Sequence, residues 1–122
     1  MKGHELIQER RDLNSAERAL LESLVTRSPR AVTFSAQLDG AMVLARCGCG
    51  CPTIFLGIGD QVAPTTGVTK VVADAAGQSP EGVRVEVILH VREGKLSELE
   101  VYAPDGTERF TLPSAEALEY VF

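Results

Sequence analysis

The sequence has no tryptophan and only two tyrosines, four phenylalanines and two histidines in 122 residues. With so few aromatics, the interior must be built from Val, Leu, Ile and Ala, which suit a pleated sheet covered by short helices. Basic runs are missing as well. The net charge is −5, and phosphate neutralisation needs clustered Lys and Arg, so no nucleic-acid partner is expected. No apolar segment reaches the ~20 residues needed to span a bilayer. The start, Met1-Lys2-Gly3-His4-Glu5, carries no apolar signal core. The expectation is a cytoplasmic protein with no membrane partner, whose thiols are kept reduced.

Cysteine is absent except at one point, where Cys47-Gly48-Cys49-Gly50-Cys51 holds all three, followed by Pro52 and Thr53. Three thiols cannot all pair within one chain, which argues against a disulfide scaffold.

A chain of this length forms one domain around one core. Asn14 with Glu17 three residues later fits a capping box. Leu20, Leu21, Leu24 and Val25 then recur at helical spacing, predicting a helix over about Ser15 to Arg27. Leu6, Ile7 and Leu13 could form an earlier turn or lengthen that helix. The segment after Ser28-Pro29 carries two conflicting signals. Ser28 as N-cap, Pro29 at the first helical position and Gly40 as a stop favour a helix. The alternation of Val32, Phe34, Ala36 and Leu38 favours a strand turning at Asp39-Gly40.

From Met42 the pattern is β. Met42 to Cys47 and Thr53 to Ile58 flank the cysteines as short strands, Asp60 to Gly67 is loop, and Val68 to Ala73 is a further strand. Val83, Val85, Val87, Leu89 and Val91 then alternate with Arg84, Glu86, Ile88, His90 and Arg92, marking a half-buried strand. Gly94 reverses the chain into Lys95 to Tyr102. A two-residue turn at Glu93-Gly94 would set Val87 opposite Glu100 and Leu89 opposite Glu98, placing carboxylates on the buried face. A three-residue loop, Arg92-Glu93-Gly94, sets Val87 opposite Leu99 and is the expected register. Phe110 and Leu112 suggest a last strand, and Ser114 a cap for a terminal helical turn ending in Leu118. The expected fold is therefore α+β, with N-terminal helices over residues 5–39 packed on an antiparallel sheet of about four to five strands over 42–112, then a short turn over 113–122.

Arg46-Cys47-Gly48-Cys49-Gly50-Cys51-Pro52-Thr53, together with the run from Val87 to Tyr102 containing Gly94-Lys95-Leu96-Ser97-Glu98-Leu99-Glu100-Val101-Tyr102, resembles a family of small bacterial proteins with no assigned activity. In that family a Leu-rich helix precedes a Cys-Gly-Cys element and a hairpin of the form Gly-Xaa-Leu-Ser-Glu-Leu-Glu-Val-Tyr. The resemblance spans most of the chain from about Ser15. It implies a helix-like segment before the cysteine strand, which decides the choice for residues 30–39, and it lends no functional residues.

The cysteines admit three readings. Cys47, Cys49 and Cys51 could hold zinc, since Cys pairs in structural sites are two to four residues apart. An extended run would hold the outer Cα atoms ~13 Å apart, so Gly48 and Gly50 would have to curl the backbone. A fourth ligand is missing: His90 lies on the outward set of its strand, and His4 is near the terminus. Alternatively Cys49-Gly50-Cys51 forms a disulfide with the third thiol resolving it, Arg46 being the one local cation. In the third reading the cysteines are small apolar residues packed along one strand face. Whether the sulfurs converge decides among these.

Arg84, Glu86, His90, Glu98 and Glu100 should share the outer face of the hairpin, a solvated sheet face or a mostly acidic interaction surface for a basic protein partner. His90 has no Ser or Asp constellation nearby in sequence, so no catalytic residue and no enzyme are expected. Gly57-Ile58-Gly59-Asp60 lacks the third Gly and the Lys of a phosphate loop. The functional expectation is a small non-catalytic binding or accessory module. The alternatives are a zinc protein using the cysteine cluster and a thiol redox protein.

Overall fold

A computed structural model describes residues 6–58, 68–107 and 109–121. His4, the loop Asp60–Gly67 and Gly59-Asp60 of the glycine motif lie outside them. The helix begins where the capping box places it. Asn14 Oδ1 accepts from the Glu17 N–H at 2.8 Å, and Glu17 Oε1 accepts from the Asn14 N–H at 3.0 Å. Two of the N–H groups that a helix start leaves unpaired are thereby satisfied. The resulting helix, α1 (Ser15–Arg27), buries Leu20, Leu21, Leu24 and Val25.

These side chains cover one face of a seven-stranded antiparallel sheet. Its strands are β1 (Leu6–Asp12), β2 (Ala41–Cys47), β3 (Ile54–Ile58), β4 (Lys70–Gln78), β5 (Arg84–Arg92), β6 (Lys95–Tyr102) and β7 (Glu119–Tyr120), in the spatial order β1-β2-β3-β6-β5-β4-β7. The fold is α+β with an antiparallel sheet, but the strand count is seven rather than four to five. The two additional edge strands account for the difference. Residues 6–12, expected in the helical region 5–39, form β1 by pairing with β2, Leu6 opposite Cys47 and Asp12 opposite Met42. At the other edge Glu119–Tyr120 pairs with Ala75-Ala76 of β4, whereas Phe110 and Leu112 form no strand. The expected terminal turn is present: Ser114 Oγ accepts from the Glu116 N–H and caps a 3₁₀ turn over Ala115–Ala117. No described helix is long and apolar enough to cross a membrane.

The ambiguous segment resolves as neither strand nor α-helix. Val32–Gly40 is 3₁₀, entered through i→i+3 bonds from Ala31 to Ser28 and from Phe34 to Ala31. Val32 and Thr33 are β-branched and resist an α-helical turn, while Pro29 and Gly40 bound the segment. Gln37 secures it to the hairpin. Its Nε2 donates to the Gly94 carbonyl at 2.9 Å and its Oε1 accepts from the Leu96 N–H at 2.8 Å.

The β5–β6 register departs from expectation. Val87 pairs with Val101 and Leu89 with Leu99, yet Val91 pairs with Leu96 and Arg92 with Lys95. The turn is thus the two-residue Glu93-Gly94, both residues at positive φ (51° and 80°), the arrangement a tight hairpin favours. A bulge at Ser97 then slips the register by one residue and restores apolar against apolar. Both Leu96 and Ser97 are buried as a result.

The main core joins α1 and Leu38 to Val43, Ile54, Val85, Val87, Leu89, Leu99 and Val101. Each fully buried Leu or Val contributes roughly 1.5–3 kcal/mol of transfer free energy. On the opposite face Leu44 and Ala45 make a small separate cluster with Leu6, Met42 and Phe55. The sheet has a narrow waist: among the described residues, β3 and β6 pair only at Ile54↔Leu99 and Phe55↔Glu98. Buried Thr53 reinforces that junction, its Oγ1 donating to the Val101 carbonyl at 3.1 Å and accepting from the Val101 N–H at 2.9 Å.

Candidate metal centre

β2 ends at Cys47 and β3 starts at Ile54, so the cysteine loop is the β2–β3 turn. The Cys47 N–H donates to the Thr53 carbonyl at 3.3 Å and closes the loop at its base. Within it Gly50 adopts φ 95°, a left-handed conformation that L side chains rarely take. The chain is curled, and the three Sγ atoms lie within 4.8 Å of one another. Cys47 Sγ is 3.0 Å from Cys49 Sγ, and the Cys51 N–H donates to Cys49 Sγ at 3.3 Å. All three cysteines are part-buried, and none is joined in a disulfide. The packed-strand reading, in which the sulfurs line one strand face, does not match this geometry.

Burial, and then the hydrogen bond with Cys49, push the Cys47 thiol up to about 12. A bound dication would oppose this shift, because it stabilises thiolates. Three thiolates in reach of one ion form a soft donor set suited to zinc or copper(I). With Zn–S distances of about 2.3 Å, the sulfurs would sit ~3.8 Å apart, so the Cys47–Cys49 contact opens by less than about 1 Å on binding. Among the described residues no fourth donor joins the group; His90 is engaged elsewhere on the sheet.

The surroundings are charged but balanced. Arg46 Nε lies 2.9 Å from Glu9 Oε1, Glu9 Oε2 lies 3.0 Å from Arg11 Nε, and Arg11 makes a two-pronged pair with buried Glu17 at 2.8 and 2.9 Å. Two cations alternate with two carboxylates from the strand carrying Cys47 to the start of α1. Glu17 therefore both caps the helix and anchors Arg11, a double role visible in sequence only as half of the capping box. A cavity of about 550 Å³ opens beside the loop, lined by Arg11, Arg46, Cys51, Thr53, Phe110 and Leu112 among others.

The residues of the expected interaction surface lie on β5 and β6. Arg84 and Glu86 approach each other at 3.6 Å. His90, Glu98 and Glu100 instead gather so that one donor atom of each lies within 4.8 Å of the others. His90 Nε2 is 2.8 Å from Glu100 Oε1, and its Nδ1 is 2.8 Å from Thr69 Oγ1. The Glu100 hydrogen bond holds the imidazole in its charged form to higher pH than usual. Burial, and secondarily Glu100, push the Glu98 carboxyl up. Thr69 was not anticipated from sequence, since a lone Thr before a strand carries no signal until its partner is known.

No protein family, curated protein or solved structure matches the chain.

Proposed function

We propose that this is a small non-catalytic binding protein whose ligand is a thiophilic metal ion, zinc in the first instance, held by Cys47, Cys49 and Cys51. One observation carries the reading: the glycine-bearing turn draws all three sulfurs within 4.8 Å of one another. Three protein thiolates leave a coordination position for water or an incoming ligand, and the cavity beside Cys51 supplies a route to it. An open position suits capture and hand-over of an ion better than purely structural cross-linking.

The test is elemental analysis of protein purified without added metal, with thermal melting in the presence of a chelator. The expected outcome is one equivalent of zinc, lost in Cys49→Ser, and a lower melting temperature in chelator. Metal-free protein whose melting is unmoved by zinc or chelator would sink the proposal. The 3.0 Å approach of Cys47 to Cys49 gives the redox alternative its one specific support. Mass spectrometry after mild peroxide distinguishes it: a Cys47–Cys49 disulfide in metal-free protein selects redox chemistry, and unmodified thiols discard it.

A further inference from the structure

We propose that His90, Glu98 and Glu100 form a second cation site, on the open face of the sheet, for a first-row divalent ion with mixed nitrogen and oxygen preference such as Mn²⁺. The donors come from adjacent strands. His90 stands directly across from Glu98, and Glu100 follows two residues along β6 on the same face, where pleating aligns side chains with period two. Beneath them Leu89 and Leu99 are fully buried on the opposite face, so the strands that carry the donors are fixed by the core.

Two observations outside the donor set point the same way. The first is the bulge. Continued without interruption from the Glu93-Gly94 turn, the ladder would put Ser97 across from His90. The extra residue replaces it with Glu98, and bulges recur where a side chain is re-aimed at a functional site. The second is Thr69, which leads into β4 and contacts Nδ1 at 2.8 Å. With the Thr69 hydroxyl accepting from Nδ1–H, Nε2 faces the carboxylates; the proton it donates to Glu100 would give way to the cation on binding. A hydrogen bond of this kind on the far ring nitrogen is how proteins orient a metal-binding histidine. Two ionised carboxylates and a neutral imidazole balance the charge of one dication. Imidazole and carboxylate donors together suit manganese or zinc, unlike the all-sulfur set in the β2–β3 turn.

The test is titration of the full-length protein with Mn²⁺ while following the imidazole resonances by NMR. The chain has two histidines, so His4 serves as the internal control. Selective broadening of His90 with one-to-one binding is expected. Glu98→Gln and Glu100→Gln should each weaken binding by about tenfold or more, and Thr69→Val by several-fold with recovery in Thr69→Ser. Cys47→Ser should leave Mn²⁺ binding unchanged, which keeps this outcome separate from the fate of the thiol site. Equal broadening of both histidines, or unchanged affinity in both Gln variants, overturns the proposal. If one Gln variant fails to fold, the other decides.

Discussion

Cys47, Cys49 and Cys51 are brought together by a turn, whereas His90, Glu98 and Glu100 are brought together by a ladder. In the first group the donors are near neighbours in sequence, and the structural work is local: one glycine at φ 95° folds the backbone back on itself. In the second the donors belong to two strands, and their meeting depends on a turn type, a bulge and a core beneath. A turn-built cluster tolerates small shifts of its atoms and suits an exchanging soft ion. A ladder-built one is geometrically stiff, since it moves only if the sheet does.

Substitutions can separate the two. The largest expected effect is that of Leu99→Ala. Leu99 is fully buried between Leu89 and Ile54, and its truncation should cost about 3–4 kcal/mol in denaturant titration. In the molecules that remain folded, Mn²⁺ affinity should fall while zinc in the turn is retained; loss of zinc alone would invert the comparison. Gly50→Ala should act on the other cluster. A Cβ there meets nothing within 4 Å, so the penalty is backbone strain of about 1–2 kcal/mol. Calorimetric zinc affinity should drop by roughly tenfold while Mn²⁺ affinity stays level, and equal effects on both ions would show that the sites are not independent. The smallest effect is a gain. Glu93 holds φ 51° in the hairpin turn, a conformation Asn adopts at lower cost. Glu93→Asn should raise stability by about 0.5 kcal/mol, measured as a small increase in melting temperature. A decrease would mean that Glu93 has a contact worth more than the strain.

The elements that could be recognised from sequence are those whose causes lie within a few residues. Asn14 and Glu17 announce the start of α1 because the capping box is a four-residue device. The alternation from Val83 to Arg92 announces β5 because burial on one face needs only that strand. β1 was hidden for the opposite reason. Leu6-Ile7-Gln8-Glu9-Arg10-Arg11 is charged and helix-tolerant, and becomes strand through pairing with Val43 to Cys47, far along the chain. β7, with two residues, has almost no local pattern at all. At the hairpin, the physical criterion of apolar opposite apolar was sound, but the solution differed. Instead of lengthening the turn, the chain keeps the tight turn and corrects the register at Ser97. The same split holds for the candidate sites. The three cysteines stand out by composition, while their convergence depended on Gly50. His90, Glu98 and Glu100 could be placed on one face, yet their meeting needed the bulge, and Thr69 needed the fold.

The narrow waist between β3 and β6 divides the ladder into a three-stranded part bearing the thiol turn and a four-stranded part bearing His90, Glu98 and Glu100. Opening energies in a native protein follow how many bonds an opening must break. Amides along Ile54 and Phe55 are therefore expected to exchange with solvent through a partial opening that costs less than global unfolding, which hydrogen exchange would measure. Thr53, whose hydroxyl bonds both the N–H and the carbonyl of Val101, acts as the latch on that opening.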